Sequence, residues 1–203
     1  MVRNAVGLAL LCVLLSPRLM GQDNRFDAAV SAGLAIPKEI DGNGVQHTAT
    51  ENRVGLGTFR VRLNPRIGFA ANYGRVYDSQ KYLTGGLNVR VLSTVSEFTG
   101  VVTFNFMDRG KLHPFALGGA GALVFNPNAV QIEEVFSNIS AQRQTRVAYV
   151  YGIGFDYNAY WRLDVRLQYR GIFYPGPDYN VPNLYTGGLG HMAEPSAGIA
   201  FRF

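Results

Sequence analysis

The sequence predicts an all-β chain, an eight-stranded antiparallel up-and-down transmembrane β-barrel, on three observations. Apolar and polar residues alternate with period two over eight separate segments, which is strand and not helix spacing. The connections between those segments alternate long and short. The 203 residues include 24 Gly, 12% aromatics and only 16% charged residues. That is too apolar for a disordered chain, and the scattered charges exclude a bundle of apolar membrane helices. The length allows one domain.

Residues 1–21 stand apart from the rest. Arg3 supplies a positive start, Val6 to Leu15 is an unbroken apolar run, and Ser16-Pro17 breaks it before the small Gly21. This is the pattern of a secretory signal peptide, and the run is too short to span a bilayer. The remaining residues, 22–203, form the expected barrel domain. The only cysteine, Cys12, lies in the apolar run. The exported chain is therefore expected to hold together without disulfides, by hydrogen-bonded strands and packing.

Taken in order, the predicted strands are 25–36, 54–63, 67–77, 97–107, 114–126, 144–158, 161–173 and 195–203. The first alternates Phe26, Ala28, Val30, Ala32, Leu34 and Ile36 with small or polar residues. The second and third carry Phe59, Val61, Leu63 and then Ile67, Phe69, Ala71, Tyr73, joined at Asn64-Pro65-Arg66. In the fourth, Phe98, Gly100, Val102, Phe104 and Phe106 share a face. The fifth groups Phe115, Leu117, Gly119, Gly121, Leu123 and Phe125. The sixth and seventh read as a hairpin closing over 158–160, with Val147 to Tyr157 and then Trp161 to Tyr169 on the apolar face. The eighth ends Ile199, Phe201, Phe203. Residues 37–53, 78–96, 127–143 and 174–194 are the long connections, all on one rim, although Leu87, Val89 and Val91 suggest that the fourth strand extends outward past a bulge.

Alternation alone leaves two barrels open: a membrane barrel with its apolar face outward, and a soluble carrier of an apolar ligand with that face inward. Aromatics favour the first. Tyr157, Trp161, Phe106 and Phe115 fall near the tight-turn rim, while Phe125 and Tyr149 fall near the long-loop rim, as two interfacial girdles would. The opposite parity collects Asp27, Arg60, Arg62, Glu97, Arg146, Asp156, Arg162, Asp164, Arg166, Arg170 and Arg202. Closing the hairpins on their turns sets Arg62 opposite Gly68, Arg60 opposite Ala70, Asp164 opposite Gly154 and Arg166 opposite Gly152. Such a face suits a narrow lumen filled by an ion-pair network, with Asp156–Arg162 and Asp27–Arg202 as expected neighbours.

From 25 to 203 the chain resembles the small bacterial outer-membrane β-barrels of the OmpA/OmpX type. The resemblance is carried by the alternating strands, by the terminal Ile199-Ala200-Phe201-Arg202-Phe203, and by segments such as Glu97-Phe98-Thr99-Gly100 and His113-Pro114-Phe115-Ala116-Leu117-Gly118-Gly119-Ala120-Gly121. It implies an outer-membrane location and contact with membrane lipid. It also implies recognition of Ile199, Phe201 and Phe203 as an assembly signal by the barrel-assembly machinery. It implies no single activity, because members of the family range from anchors to adhesins and lipid-modifying enzymes.

The reading expected for function is accordingly a monomeric structural or surface-interaction protein with four outward loops, able to take an extracellular ligand there. Tyr179 and Tyr185 are possible contact residues, with packing on the loops' own surface as the alternative. A narrow anion-preferring pore is the alternative that the excess of arginine offers to a filled lumen. A lipid A-modifying hydrolase would use His191, Glu194 and Ser196, but parity sets His191 on the other face from its partners. No metal spacing and no phosphate-cradling Gly motif is present, so no cofactor is expected. The bases fall on the lumen parity, which argues against nucleic acid.

Overall fold

A computed structural model describes residues 25–107, 109–137 and 141–203. The expected signal peptide lies outside the described residues. Eight strands form the ring: β1 (Phe26–Pro37), β4 (Asn52–Arg62), β5 (Ile67–Thr84), β6 (Leu87–Asn105), β7 (Leu112–Ile132), β9 (Gln144–Tyr160), β10 (Leu163–Pro175) and β11 (Leu189–Arg202). Each pairs antiparallel with the next, and β1 pairs with β11, from Asp27↔Arg202 to Pro37↔Met192, to close the barrel. Antiparallel pairing thus runs around the whole ring and leaves it no free edge, which is the condition for crossing hydrocarbon. Among the described residues no helix is long and apolar enough to cross a membrane.

The period-two pattern sorts the faces. Val30, Phe69, Phe98, Val147, Ile153, Leu167 and Ile199 point outward and are exposed. Leaving such side chains in water costs about 1.5–3 kcal/mol each, so this surface belongs against lipid. The arginines and carboxylates of the alternate parity are inside, and the inverted, soluble carrier is excluded by that orientation.

Three departures from the sequence reading have local causes. First, the stretches taken as long loops are largely sheet. β5 and β6 run on from the barrel to a two-residue turn at Gly85-Gly86, both at positive φ, a turn whose twist matches a hairpin. The expected bulge lies at Leu92/Ser93. Residues 37–53 contain a second hairpin, β2 (Ile40–Gly42) and β3 (Val45–Ala49), with β3 paired to the outer part of β5. A short β8 (Val135–Ser137) folds back on β7. At roughly 3.3 Å per residue and a tilt of about 40°, the 18 residues of β5 rise roughly 45 Å, against an apolar band of about 25 Å. The outer part of this wall therefore stands clear of the membrane.

Second, the β9–β10 hairpin turns at Trp161-Arg162, with Trp161 at positive φ and a bulge at Leu163/Asp164. This moves the register: Arg166 faces Asp156 and Asp164 faces Asn158, instead of the glycines expected. Arg62↔Gly68 and Arg60↔Ala70 stand as read. Third, β7 presents the opposite face. Phe115 and Phe125 are each 2% exposed and lie inside, so neither is a membrane-interface residue. A Cβ on Gly154 would come within 2.7 Å of the Phe115 ring, and one on Gly152 within 3.3 Å of Leu117. The glycines of β9 leave the space that these large β7 side chains fill, and the outward face of β7 is left to Ala116, Gly118, Ala120 and Ala122.

Candidate functional site

The lumen is built in two layers and capped by the loops. Near the tight-turn end, Arg60 donates Nε to Asp27 (2.6 Å) and Nη2 to Asp156, while Arg166 donates Nε to Asp156 (2.7 Å) and Nη2 to both Asp27 (3.0 Å) and Asp156 (3.1 Å). Arg62 adds a longer bond to Asp27 (3.2 Å), and Arg202 binds Asp164 (2.7 Å). β1, β4, β9 and β10 supply the four inner members of this cluster, all buried. Both inner guanidiniums lie over the Phe115 ring, at 5.6 and 5.8 Å from its centroid. The inward turn of Phe115 thus gives the arginines an aromatic platform.

Higher up, Arg170 Nη2 bonds both oxygens of Glu97 and also Glu194 (2.7 Å). Thr99 donates to Glu97 (2.8 Å), Asn72 to Thr99 (3.2 Å) and Thr58 to Asn72 (2.8 Å). One belt of hydrogen bonds therefore links β4, β5, β6, β10 and β11. Above it the interior turns apolar: Val76, Val95, Leu123, Phe125, Ile172 and Tyr174 pack into one cluster, leaving a cavity of about 20 Å³. That is room for little more than a water molecule.

The cap closes this apolar layer. The loop 176–188 is folded back by a Gly176–Gly188 backbone bond and carries a short 3₁₀ turn at Pro182–Leu184. Its Tyr179, at positive φ and 0% exposed, is driven into the mouth against Phe125, so this residue is packed and offers nothing to a partner; Tyr185 is exposed. Gln144 holds the loop by accepting from the Asp178 and Tyr179 backbone N–H groups (3.0 and 3.2 Å) and donating to the Asp178 carboxylate (2.7 Å). Partial burial pushes the Asp178 carboxyl up, but the Gln144 and Asn180 donors and the Arg146 guanidinium outweigh it and hold it below its ordinary value. On the other side His47 stacks on Tyr82 at 4.4 Å, and the Tyr82 hydroxyl is within hydrogen-bond reach of Gln80 Oε1 and Pro177 O. Burial lowers the His47 imidazole to about 4, partly offset by Gln80, so it is packed as a neutral ring.

Of the polar residues read from the sequence, Asp27, Arg60, Arg62, Asp156, Asp164, Arg166 and Arg202 come together in the lower layer, and Glu97 and Arg170 in the upper. Arg146 does not join them: it pairs with Asp178 at the loop end (3.2 Å). Arg162 lies over the Trp161 ring at the turn and not on Asp156. Asp27 faces Arg202 across the backbone, yet its carboxylate is taken by the other arginines while Arg202 goes to Asp164. Glu194 was missed as a lumen residue, although its parity with Arg202 on β11 marks it. His191 is on the outer wall, 2.9 Å from the Tyr151 hydroxyl and tilted against the Phe173 ring at 4.7 Å, with Glu194 and Ser196 on the inner face. A hydrolytic triad is therefore not assembled from these three. Among the described residues no group of three His, Cys, Asp or Glu could hold a metal ion.

Of the aromatics, Tyr157, Trp161, Phe106 and Tyr149 are exposed on the outer wall. Ile199 is also outward, and Phe203 stacks on Phe201 and Phe26 at 6.3 and 6.0 Å.

No protein-family profile and no curated protein matches the chain. Solved structures do. Neisserial surface protein A is similar at a TM-score of 0.57 with 14% identity, over 89% of this chain and 98% of that one. The outer membrane protein OprG from Pseudomonas aeruginosa is similar at 0.56 with 12% identity, over 88% and 96%. At such identities the likeness lies in the fold, and that fold is the eight-stranded antiparallel barrel of outer-membrane proteins.

Proposed function

We propose that this chain is exported behind a cleaved signal at 1–21, assembles as a monomer in the outer membrane, and serves as a plugged scaffold that presents a structured cap for surface interactions. On this reading lipid solvates the outer wall and the barrel-assembly machinery reads Ile199, Phe201 and Phe203. Solutes do not pass, because the lumen arginines are tied to carboxylates across the bore and the mouth above is packed with aromatic side chains.

The observation that carries the surface role is a set of apolar residues standing above the lipid band. Leu83, Leu87, Val135 and Phe136 are exposed at the tips of the β5–β6 and β7–β8 hairpins, with Phe136 at 70%. The two tips are locked side by side, since Asn88 N–H donates to Glu133 (2.7 Å) and Glu133 N–H to Asn88 O (3.0 Å). Rigid, exposed apolar side chains on an extracellular edge are unfavourable in water and are the kind of surface that a protein partner covers.

Fractionation of expressing cells, gel mobility with and without boiling, and thiol labelling of Asn43→Cys and Glu134→Cys in intact cells test this reading together. The expected result is a heat-modifiable protein in the outer-membrane fraction with both cysteines labelled. A soluble periplasmic protein, or cysteines reached only after lysis, would overturn it.

A further inference from the structure

We propose that the tight-turn mouth of the barrel is a binding site for a phosphate-type oxyanion, closed above by the ion-pair layer so that the anion is held and not conducted. The argument begins with a charge count. Within this layer Arg60, Arg62, Arg166 and Arg202 share three carboxylates, Asp27, Asp156 and Asp164, so guanidiniums outnumber carboxylates by one. The inner pair, Arg60 and Arg166, use both Nε and Nη2. The outer pair do not: Arg62 spends only Nη2 on Asp27 and Arg202 only Nη2 on Asp164, and the Nε of each has no partner among the described residues.

These two half-used guanidiniums border a cavity of about 140 Å³, together with Asn105 and His113. In the ring, Arg62 on β4 and Arg202 on β11 flank β1, while Asn105 on β6 and His113 on β7 come from the opposite wall. Donors thus face one another across the opening. Asp156 forms part of the same lining, but its oxygens are hydrogen-bonded to Arg60 and Arg166 and make no direct bond to the outer pair.

The shape of the donor set favours a tetrahedral oxyanion. A planar carboxylate satisfies one guanidinium fork, whereas phosphate offers oxygens to both arginines, to the Asn105 amide hydrogen not given to Pro65 O and to His113 Nε2, the His113 Nδ1 lying 3.3 Å from Met107 O. The volume admits such an ion with part of its hydration. Arg66 and Lys111 stand exposed on the same rim and attract an anion approaching the mouth. Access is along the barrel axis from the side of the tight turns.

The test uses the folded full-length mature barrel in phosphate-free detergent, with ¹⁵N-labelled arginine side chains. Inorganic phosphate is titrated at constant ionic strength set with chloride. The Nε–H signals of Arg62 and Arg202 are expected to shift saturably while that of Arg166 stays put. Arg62→Gln is the variant of choice because Asp27 keeps Arg60 and Arg166, and it is expected to weaken binding about tenfold or more. A parallel sample in vesicles containing phosphatidylglycerol identifies the source of the anion. If both signals are already shifted there and added phosphate does nothing more, the lipid headgroup fills the site; if phosphate still shifts them, the free ion does. Absence of saturation, an equal response to chloride, or unchanged affinity in Arg62→Gln would each overturn the proposal.

Discussion

Single residues in this molecule are held by different forces at different heights. Asp156 accepts from two buried guanidiniums, so Asp156→Ala leaves Arg60 and Arg166 sharing the single carboxylate of Asp27 in a poorly solvated space. The expected cost is about 3–5 kcal/mol, read as a lowered urea midpoint for the barrel in vesicles. His47 answers to pH instead. Unfolded, its imidazole takes a proton near 6.5; folded, only at about 4. Between those values the opened cap binds the proton and the closed cap does not. Cap stability is therefore constant above about pH 6.5, falls on acidification toward 4 by up to about 3 kcal/mol, and levels off below. Hydrogen exchange of the Val45–Ala49 amides, corrected for intrinsic rate, measures it, and His47→Phe should flatten the profile.

At the scale of elements, β7 is the informative strand. Its two faces are both plausible from sequence, since glycine and alanine on one parity and phenylalanine and leucine on the other fit either a lipid wall or a packed lumen. What decides is the neighbour: Gly152 and Gly154 on β9 leave a hollow that only inward Phe115 and Leu117 fill. Phe115→Ala is expected to cost about 3–5 kcal/mol, as for a buried phenylalanine, whereas lipid-facing Phe98→Ala should cost clearly less in the same unfolding assay. The same dependence on neighbours explains why the polar parity was legible on β4, β10 and β11 but the partners were not. Register across β9–β10 turns on where the hairpin bends, and the positive φ of Trp161 carries no glycine signal to mark it. The outer hairpins were hidden for a related reason: Asn43-Gly44 and Gly85-Gly86 read equally well as loop flexibility and as the tight turns they form.

For the whole molecule, period-two alternation was enough to give the ring, its strand number and its closure, because a one-residue error would turn every apolar side chain inward. It was not enough to show that the upper interior is an apolar core, since that core is assembled from Tyr82, Phe125, Tyr174 and Tyr179, residues far apart in the chain. With that core in place, reconstitution into planar bilayers is expected to give no steady conductance, and opening the cap with Gln144→Ala should leave the membrane silent because the ionic layers remain. A persistent current in the native protein would contradict the plugged lumen.

The seam between β1 and β11 also sets an order of events. Phe26 and Phe203 exchange backbone hydrogen bonds (3.2 and 2.9 Å), so the ring is sealed between its first strand and its last. No shorter run of strands makes a closed ring, and until the final strand arrives the nascent sheet keeps two raw edges and an apolar skin. Insertion is thus committed only at its last step, and a chain waiting for that step must be shielded along its whole length.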